Sequence, residues 1–178
     1  MIKTNIRSVN KTDIPTLVDL DPSYHTEYVW QLDIDNHEKD MNIRFREMRL
    51  PRSMLVEYPN QLNALSDHSE QYLNMLVSEF EDMPIAFIGL SQSHPLGLLA
   101  VTDLVVKRRF RRAGIATSLL RAAQSWAVKI GKDHLVVEMQ SKNYPAIQLV
   151  SKLGFEFSGY SDKYYPNQDI ALFFTKRI

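Results

Sequence analysis

Val105-Val106-Lys107-Arg108-Arg109-Phe110-Arg111-Arg112-Ala113-Gly114-Ile115-Ala116-Thr117 joins two segments of opposite periodicity. Upstream, Leu98–Val106 is a nearly unbroken apolar run around Thr102 and Asp103, as expected of a strand buried on both faces. Downstream, Ile115, Leu119, Leu120, Ala123, Trp126, Ala127 and Ile130 recur at helical spacing, and Gly131 closes the helix. The basic turn between them opens on a helix N-terminus, where unpaired backbone N–H groups and a partial positive charge suit an anion. Gly114 permits backbone angles and a close approach that a Cβ would block, and Ala116 keeps the next turn thin. Arg111 and Arg112 offer charge-assisted hydrogen bonds to phosphate oxygens. A solvated basic turn would carry the same charges. The spacing Arg-x-x-Gly-x-Ala, set between a buried strand and an apolar-striped helix, points instead to a phosphate group. It is neither a Gly-Lys-Ser/Thr loop nor a Gly-x-Gly-x-x-Gly turn, so nucleotide hydrolysis and dinucleotide redox chemistry fall away.

Outward from this junction, Tyr72–Phe80 and Ile85–Gln92 read as strands, with turns over Glu81–Pro84 and Ser93–Gly97. His134–Gln140 is a second buried strand, Ala146–Leu153 a short helix ended by Gly154, and Phe155–Ile178 a closing hairpin. Before the meander, Ile2–Val9 suggests a first strand. Thr12 or Asp13 caps a helix through Leu17, Val18 and Leu20. Tyr24–Asn36 is expected as a second, weaker helix, and Met41–Tyr58 as an extended arm or hairpin around Leu50-Pro51-Arg52. The order gives a mixed, mostly antiparallel sheet with flanking helices: α+β, one domain over residues 1–178.

A chain of 178 residues is long enough to bury one substantial core. Lys plus Arg and Asp plus Glu number 21 each, so no whole-chain field attracts nucleic acid or an anionic membrane, and neither is expected as a partner. The absence of cysteine removes disulfides, thiolate metal sites and an acyl-cysteine intermediate. The five histidines show no metal-ligand spacing, and no metal is expected. Met1–Asn5 lacks the apolar core of a signal peptide, and no apolar run approaches the roughly 20 residues a membrane helix needs. A cytoplasmic protein is the expectation.

Two blocks of the sequence resemble the GCN5-related N-acetyltransferase superfamily. One is Asp103–Val106 followed by Arg111–Leu120; the other is Leu135–Gln140, Asn143–Ile147, Leu149 and Lys152–Phe155. The second block, with Tyr164-Tyr165-Pro166-Asn167-Gln168-Asp169, is similar to ribosomal-protein N-terminal acetyltransferases and streptothricin acetyltransferases. The resemblance implies a V-shaped split between the fourth and fifth core strands, Leu98–Val106 and His134–Gln140, that receives acetyl-CoA as cosubstrate. It implies a pantetheine arm bonded to backbone around Leu104, Val105 and Val106, and a diphosphate on Arg111, Arg112, Ala113, Gly114, Ile115, Ala116 and Thr117. Asn143 would bond the pantetheine or thioester, and Ala146 and Lys152 belong to the same binding block. The implied reaction is direct transfer to an amine in a ternary complex, with Glu138 as the base and Asp103 as its competitor. The family tyrosine that protonates the leaving thiolate falls on Val150, which has no proton to give, so Tyr144, Tyr164 or Tyr165 would have to substitute. A non-catalytic acyl-CoA-binding module is the alternative that Val150 raises.

The same resemblance places two N-terminal helices around the acceptor, within an acceptor-side region, residues 1–70, that precedes an acyl-CoA-binding core, residues 71–178. Asp19, Asp21, Glu27, Asp33, Asp35, Glu38 and Asp40 could form an acidic wall for a cationic small molecule or basic peptide, or simply a solvated face, which is the commoner case. Tyr24, Tyr28 and Trp30 could line that pocket, though core packing is their more usual use. Dimers are common in the superfamily, so the resemblance admits a homodimer, with no interface marked in the sequence.

Overall fold

Apolar residues at nearly every position of Met75–Val77 and Ile85–Leu90 demand cover on both sides of a sheet, and the computed structural model supplies it. It describes residues 3–60, 62, 65, 72–92 and 97–178. The elements in chain order are β1 Asn5–Ser8, α1 Ile14–Val18, β2 Tyr24–Asn36, β3 Met41–Val56, β4 Asn74–Phe80, β5 Met83–Ser91, β6 Leu98–Val106, α2 Ile115–Lys129, β7 His134–Gln140, α3 Tyr144–Lys152, β8 Glu156–Ser161 and β9 Ala171–Arg177. Seven strands make one mixed sheet in the order β1-β4-β5-β6-β7-β9-β8. Every neighbouring pair is antiparallel except β6 and β7. Residues 93–96 of the expected turn, with His68 and His94, lie outside the described residues.

Side-chain alternation assigns the two faces. Leu76, Ile88 and Leu104 stand opposite one another across three strands, and Ile88 packs under α2 with Leu119, Leu120 and Ala123. The next positions along, Val77, Phe87 and Val105, face the other way onto Leu17 and Leu20 at α1. Each face therefore has its own apolar cover, as the period-2 geometry requires.

One irregularity decides where a cleft opens. Between Gly89↔Asp103 and Leu90↔Val101 the pairing skips Thr102, so β6 carries an extra residue there. Such a bulge bends the strand and raises its twist. The parallel pairing of β6 with β7 ends at that point, at Val101↔Val137. Beyond it the two strands part, which is the expected split between the fourth and fifth strands.

Gly89 is demanded by close approach rather than by its dihedrals. An added Cβ would lie 2.4 Å from Cε1 of Tyr72. The ring crosses the strand there because the Tyr72 hydroxyl donates to Oδ2 of Asp103 at 2.7 Å. Gly89→Ala is expected to displace the ring, break that bond and lower the unfolding free energy by about 2 kcal/mol in urea titrations. Tyr72→Phe, which keeps the ring, should cost about half as much.

Two N-terminal expectations are corrected. Tyr24–Asn36 is not helical; it is β2, paired along its length with β3 in a separate two-stranded sheet. Its aromatic and aliphatic residues Tyr24, Tyr28, Trp30, Leu32 and Ile34 recur at even positions, a strand period that outweighs the region's weak helical character. The arm turns at 37–40 and not at Leu50-Pro51-Arg52. Pro51 sits where the register shifts, opposite the step from Thr26 to Tyr28, a place where its missing N–H costs no ladder bond. Trp30 docks the arm on the sheet, with ring centroids 5.7 Å from Phe174 and 6.0 Å from Phe157. Two helices flanking an acceptor are thus not what the described N-terminal residues form; a short helix and a long hairpin stand there. Asp33 pairs across the hairpin with Arg46 at 2.6 Å, and most of the other carboxylates of that region are exposed.

Candidate active site

A cleft of about 370 Å³ occupies the gap that the Thr102 bulge opens. Leu104, Val105 and Val106 form one wall; Arg111, Arg112, Gly114, Ile115, Ala116 and Thr117 form one end; Asn143 and Ala146 enter from the start of α3. The expected coenzyme residues are therefore brought together, with two exceptions. Ala113 packs against the core, and Lys152 is exposed in the last turn of α3. Pro22, Tyr24, Tyr58, Phe110, Pro145 and Leu149 complete the lining. Tyr24 is both buried and part of the wall, whereas none of the acidic residues Asp19–Asp40 reaches it.

The Gly114 loop has the geometry of an anion seat. Arg112 and Gly114 are both left-handed, at φ +65° and +84°. Gly114 caps α2, its carbonyl accepting from Ser118 N at 3.0 Å, so the N–H groups of the first turn have no partner within the helix. A Cβ built on Gly114 meets nothing within 4 Å and points into open space. The apolar flanks Leu104, Ile115, Ala146 and Leu149 would take an aliphatic arm, and the loop with exposed Arg112 would take the charge. These residues fit acyl-coenzyme A.

Arg111 departs from its expected use. Its guanidinium donates to three backbone carbonyls: Val106 at 2.9 Å, Ser23 at 2.6 Å and Asp21 at 2.7 Å. It ties the segment before β2 to the end of β6 and holds Tyr24 at the cleft. Arg111→Gln is expected to cost about 2 kcal/mol of stability by chemical denaturation. Arg112→Gln should leave stability unchanged and weaken coenzyme binding about tenfold by calorimetry.

Asp103 and Glu138 lie on the same face of the sheet, on either side of the split. Asp103 is 3% exposed, and both its oxygens are engaged: Oδ1 by Tyr58 at 2.8 Å and Asn60 at 3.0 Å, Oδ2 by Tyr72. Glu138 is half-buried, and its Oε2 accepts from Tyr164 at 3.1 Å. Burial pushes the Glu138 carboxyl above the ordinary range, the hydroxyls of Tyr164 and Tyr165 pull it back, and the charge of Asp103 pushes it up again. The Tyr164 phenol is pushed up to about 12 by burial and by Glu138. Tyr144 turns elsewhere: its ring sits 4.9 Å from Tyr28 and its hydroxyl bonds Glu47, so of the three tyrosines only Tyr164 and Tyr165 meet Glu138. Val150 is 1% exposed and belongs to the core. Asn143 spends its carbonyl on Ala146 N at 3.2 Å, capping α3. Among the described residues no cluster of His, Asp and Glu could hold a metal, and no helix is long and apolar enough to cross a membrane.

Sequence reasoning gave no role to Tyr58 and Asn60, and named Leu149 in the second block without placing it in the cleft wall. The first two lie at and just past the end of the alternating Met41–Tyr58 stretch, and their role depends on a contact with Asp103 more than forty positions away. Leu149 follows from the helical phase that buries Val150 beside it.

Comparison with known proteins agrees with this geometry. The chain is 32% identical over 151 residues to an N-alpha-acetyltransferase of Saccharolobus solfataricus, spanning 78% of this chain and 87% of the relative. It is 25% identical over 165 residues to the streptothricin acetyltransferase of Streptomyces lavendulae, spanning 89% and 85%. A solved structure from Bacillus anthracis, assigned as a streptothricin acetyltransferase and in complex with acetyl coenzyme A, superposes with a TM-score of 0.78 at 18% identity over 99% of this chain and 100% of that one. The model of the acetyltransferase (GNAT) family matches residues 27–155, from within β2 through the cleft to just past the end of α3, and the chain belongs to that family.

Proposed function

We propose that the chain is an N-acetyltransferase that moves the acetyl group of acetyl-CoA to a primary amine of a small cationic molecule or a peptide, by direct attack in a ternary complex. The observation that carries this reading is Glu138, a half-buried carboxylate with a raised pKa at the point where β6 and β7 part. From Val101 to Val106 the strand advances about 17 Å at 3.3 Å per residue, which separates the anion seat from the base by a length suited to an extended arm. Residues 1–70 supply Tyr24 and Tyr58 to the acceptor side of the cleft.

Most primary amines are protonated at neutral pH, with lysine-type values of about 10.4. Glu138 takes one proton from the ammonium, so that a neutral nitrogen bonds the acetyl carbon; the carbon–sulfur bond then breaks, coenzyme A departs as the thiolate, and the nitrogen's second proton passes to that thiolate through water. Consecutive N–H groups of a strand point to opposite edges, and Lys107 N donates to Ile85 O across β5, so the Val106 N–H is the one turned to the cleft as a donor for the developing oxyanion, a contribution of about 3 kcal/mol in comparable sites. Asp103, with both oxygens engaged, serves as an anchor for Tyr58 and Tyr72 rather than as the base. The relatives' names, one specifying an alpha-amino nitrogen, support the amine class.

The buried Val150 favours one second reading, a module that binds acyl-CoA without turnover. Release of free thiol from acetyl-CoA across a panel of amines, with mass spectrometry of the products, separates the two. An acetylated amine is the expected result; coenzyme binding with no thiol released by any amine would establish the second.

A further inference from the structure

Asp169 lies in segment 162–170 between β8 and β9 and is 9% exposed. Its carboxylate accepts from Gln140 Nε2 at 2.8 Å, from Asn167 Nδ2 at 3.0 Å and from Lys142 Nζ. Its main-chain carbonyl accepts from the N–H groups of Tyr164 at 3.1 Å and Tyr165 at 3.3 Å, the two tyrosines that reach Glu138. Gln140, 1% exposed and two residues along β7 from Glu138, uses its other amide atom to accept from the Tyr24 hydroxyl at 2.8 Å. One buried residue, through its carboxylate and its main-chain carbonyl, thus joins the cleft wall, the β7–α3 turn and the cover of the base.

The segment is held in a costly shape. Lys163 and Gln168 are both left-handed, at φ +52° and +66°, in a stretch without glycine. Such conformations persist only where the surroundings over-determine them, and the bonds to Asp169 are that constraint. Tyr164, 45% exposed, is otherwise held by edge contacts to Tyr165 at 5.1 Å and Phe173 at 5.9 Å.

We propose that Asp169 is the positioning residue of the acceptor site, fixing Tyr164 and Tyr165 over Glu138 while it fixes Tyr24 in the cleft wall through Gln140. This rests on Glu138 acting as the base. The charged and titratable groups facing Glu138 are Asp103 from β6, itself bonded to Tyr58 and Tyr72, and Tyr164 and Tyr165 from the 162–170 segment. Those facing Asp169 are Lys142 and, through Gln140, Tyr24. Of the groups around Glu138, the two phenols are the ones that Asp169 places. Loosening it withdraws two donors that favour the ionised carboxylate, so the acid limb of the pH–rate profile moves to higher pH.

The test compares the full-length protein with Asp169→Asn, Tyr164→Phe and the double variant, measuring pH–rate profiles, amine KM and acetyl-CoA affinity. Asp169→Asn is expected to raise amine KM about tenfold and shift the acid limb upward by about half a unit or more, with coenzyme affinity unchanged. The shifts of the two single variants should not add in the double variant, because Asp169 acts through Tyr164. If Asp169→Asn does not fold, Asn167→Ala removes an exposed partner of the same carboxylate and should shift the limb in the same direction. An unmoved limb and KM in the folded variant, or fully additive shifts, overturns the inference while leaving the base assignment intact. No thiol release by the unsubstituted protein with any amine overturns the base assignment and the inference together.

Discussion

Gly114→Glu is expected to abolish acetyl-CoA binding while the protein remains folded, a loss of at least about a hundredfold in Kd, or about 2.7 kcal/mol. Two effects combine. At φ +84° a residue with a Cβ is strained by about 1–2 kcal/mol, and relief of that strain would turn the loop amides away from their common target. Gly114 lines the cleft and, its chain neighbours aside, no described atom lies within 4 Å of a Cβ placed there, so the new side chain has room to enter the cleft and carries a negative charge to the seat of an anion. That same open space is why the fold should survive. Calorimetric titration with acetyl-CoA, beside a melting curve, checks both halves. Gly114→Ala isolates the strain and should lose less affinity. Binding by the glutamate variant within threefold of the unsubstituted protein would remove the loop from the coenzyme site.

Glu138→Gln is expected to lower turnover about a hundredfold near neutral pH, with the deficit closing as pH rises. In the unsubstituted protein activity should fall as pH drops through the Glu138 pKa, because protonation disables the base. That limb lies above the ordinary carboxylate range, since burial outweighs the two phenol hydrogen bonds. Glutamine has no such limb. The rate then follows the amine's own ionisation, near pH 10 for a lysine-type amine. A pH–rate profile for both proteins, at saturating acetyl-CoA, shows whether the limb moves. An unaltered profile would pass the role to Asp103 or to a water chain.

The centre of the fold was legible because strand and helix periods there are strong and adjacent. Leu98–Val106, Ile115–Lys129 and His134–Gln140 each bury one or both faces, and burial writes itself into sequence as periodicity. The hairpin arm was half legible. β3 was expected as extended, but β2 was not, because the alternation of Tyr24–Ile34 lies among carboxylates that are also compatible with an exposed helix. The left-handed backbone of the Gly114 loop could be read from the sequence, since backbone demands are local. The direction of Arg111 could not be read. Its carbonyl partners Asp21 and Ser23 lie some ninety positions upstream, and a basic residue beside an anion seat looks the same whether it faces the anion or the protein. For the same reason the network of Asp103 with Tyr58, Asn60 and Tyr72 is a property of packing alone.

Amide hydrogen exchange with and without acetyl-CoA tests the placement of the coenzyme most directly. Slowed exchange confined to Leu104–Val106, Arg112–Thr117 and the start of α3 is the expected result. Protection that spares these amides and falls on the hairpin arm or on the β1 side of the sheet would contradict it.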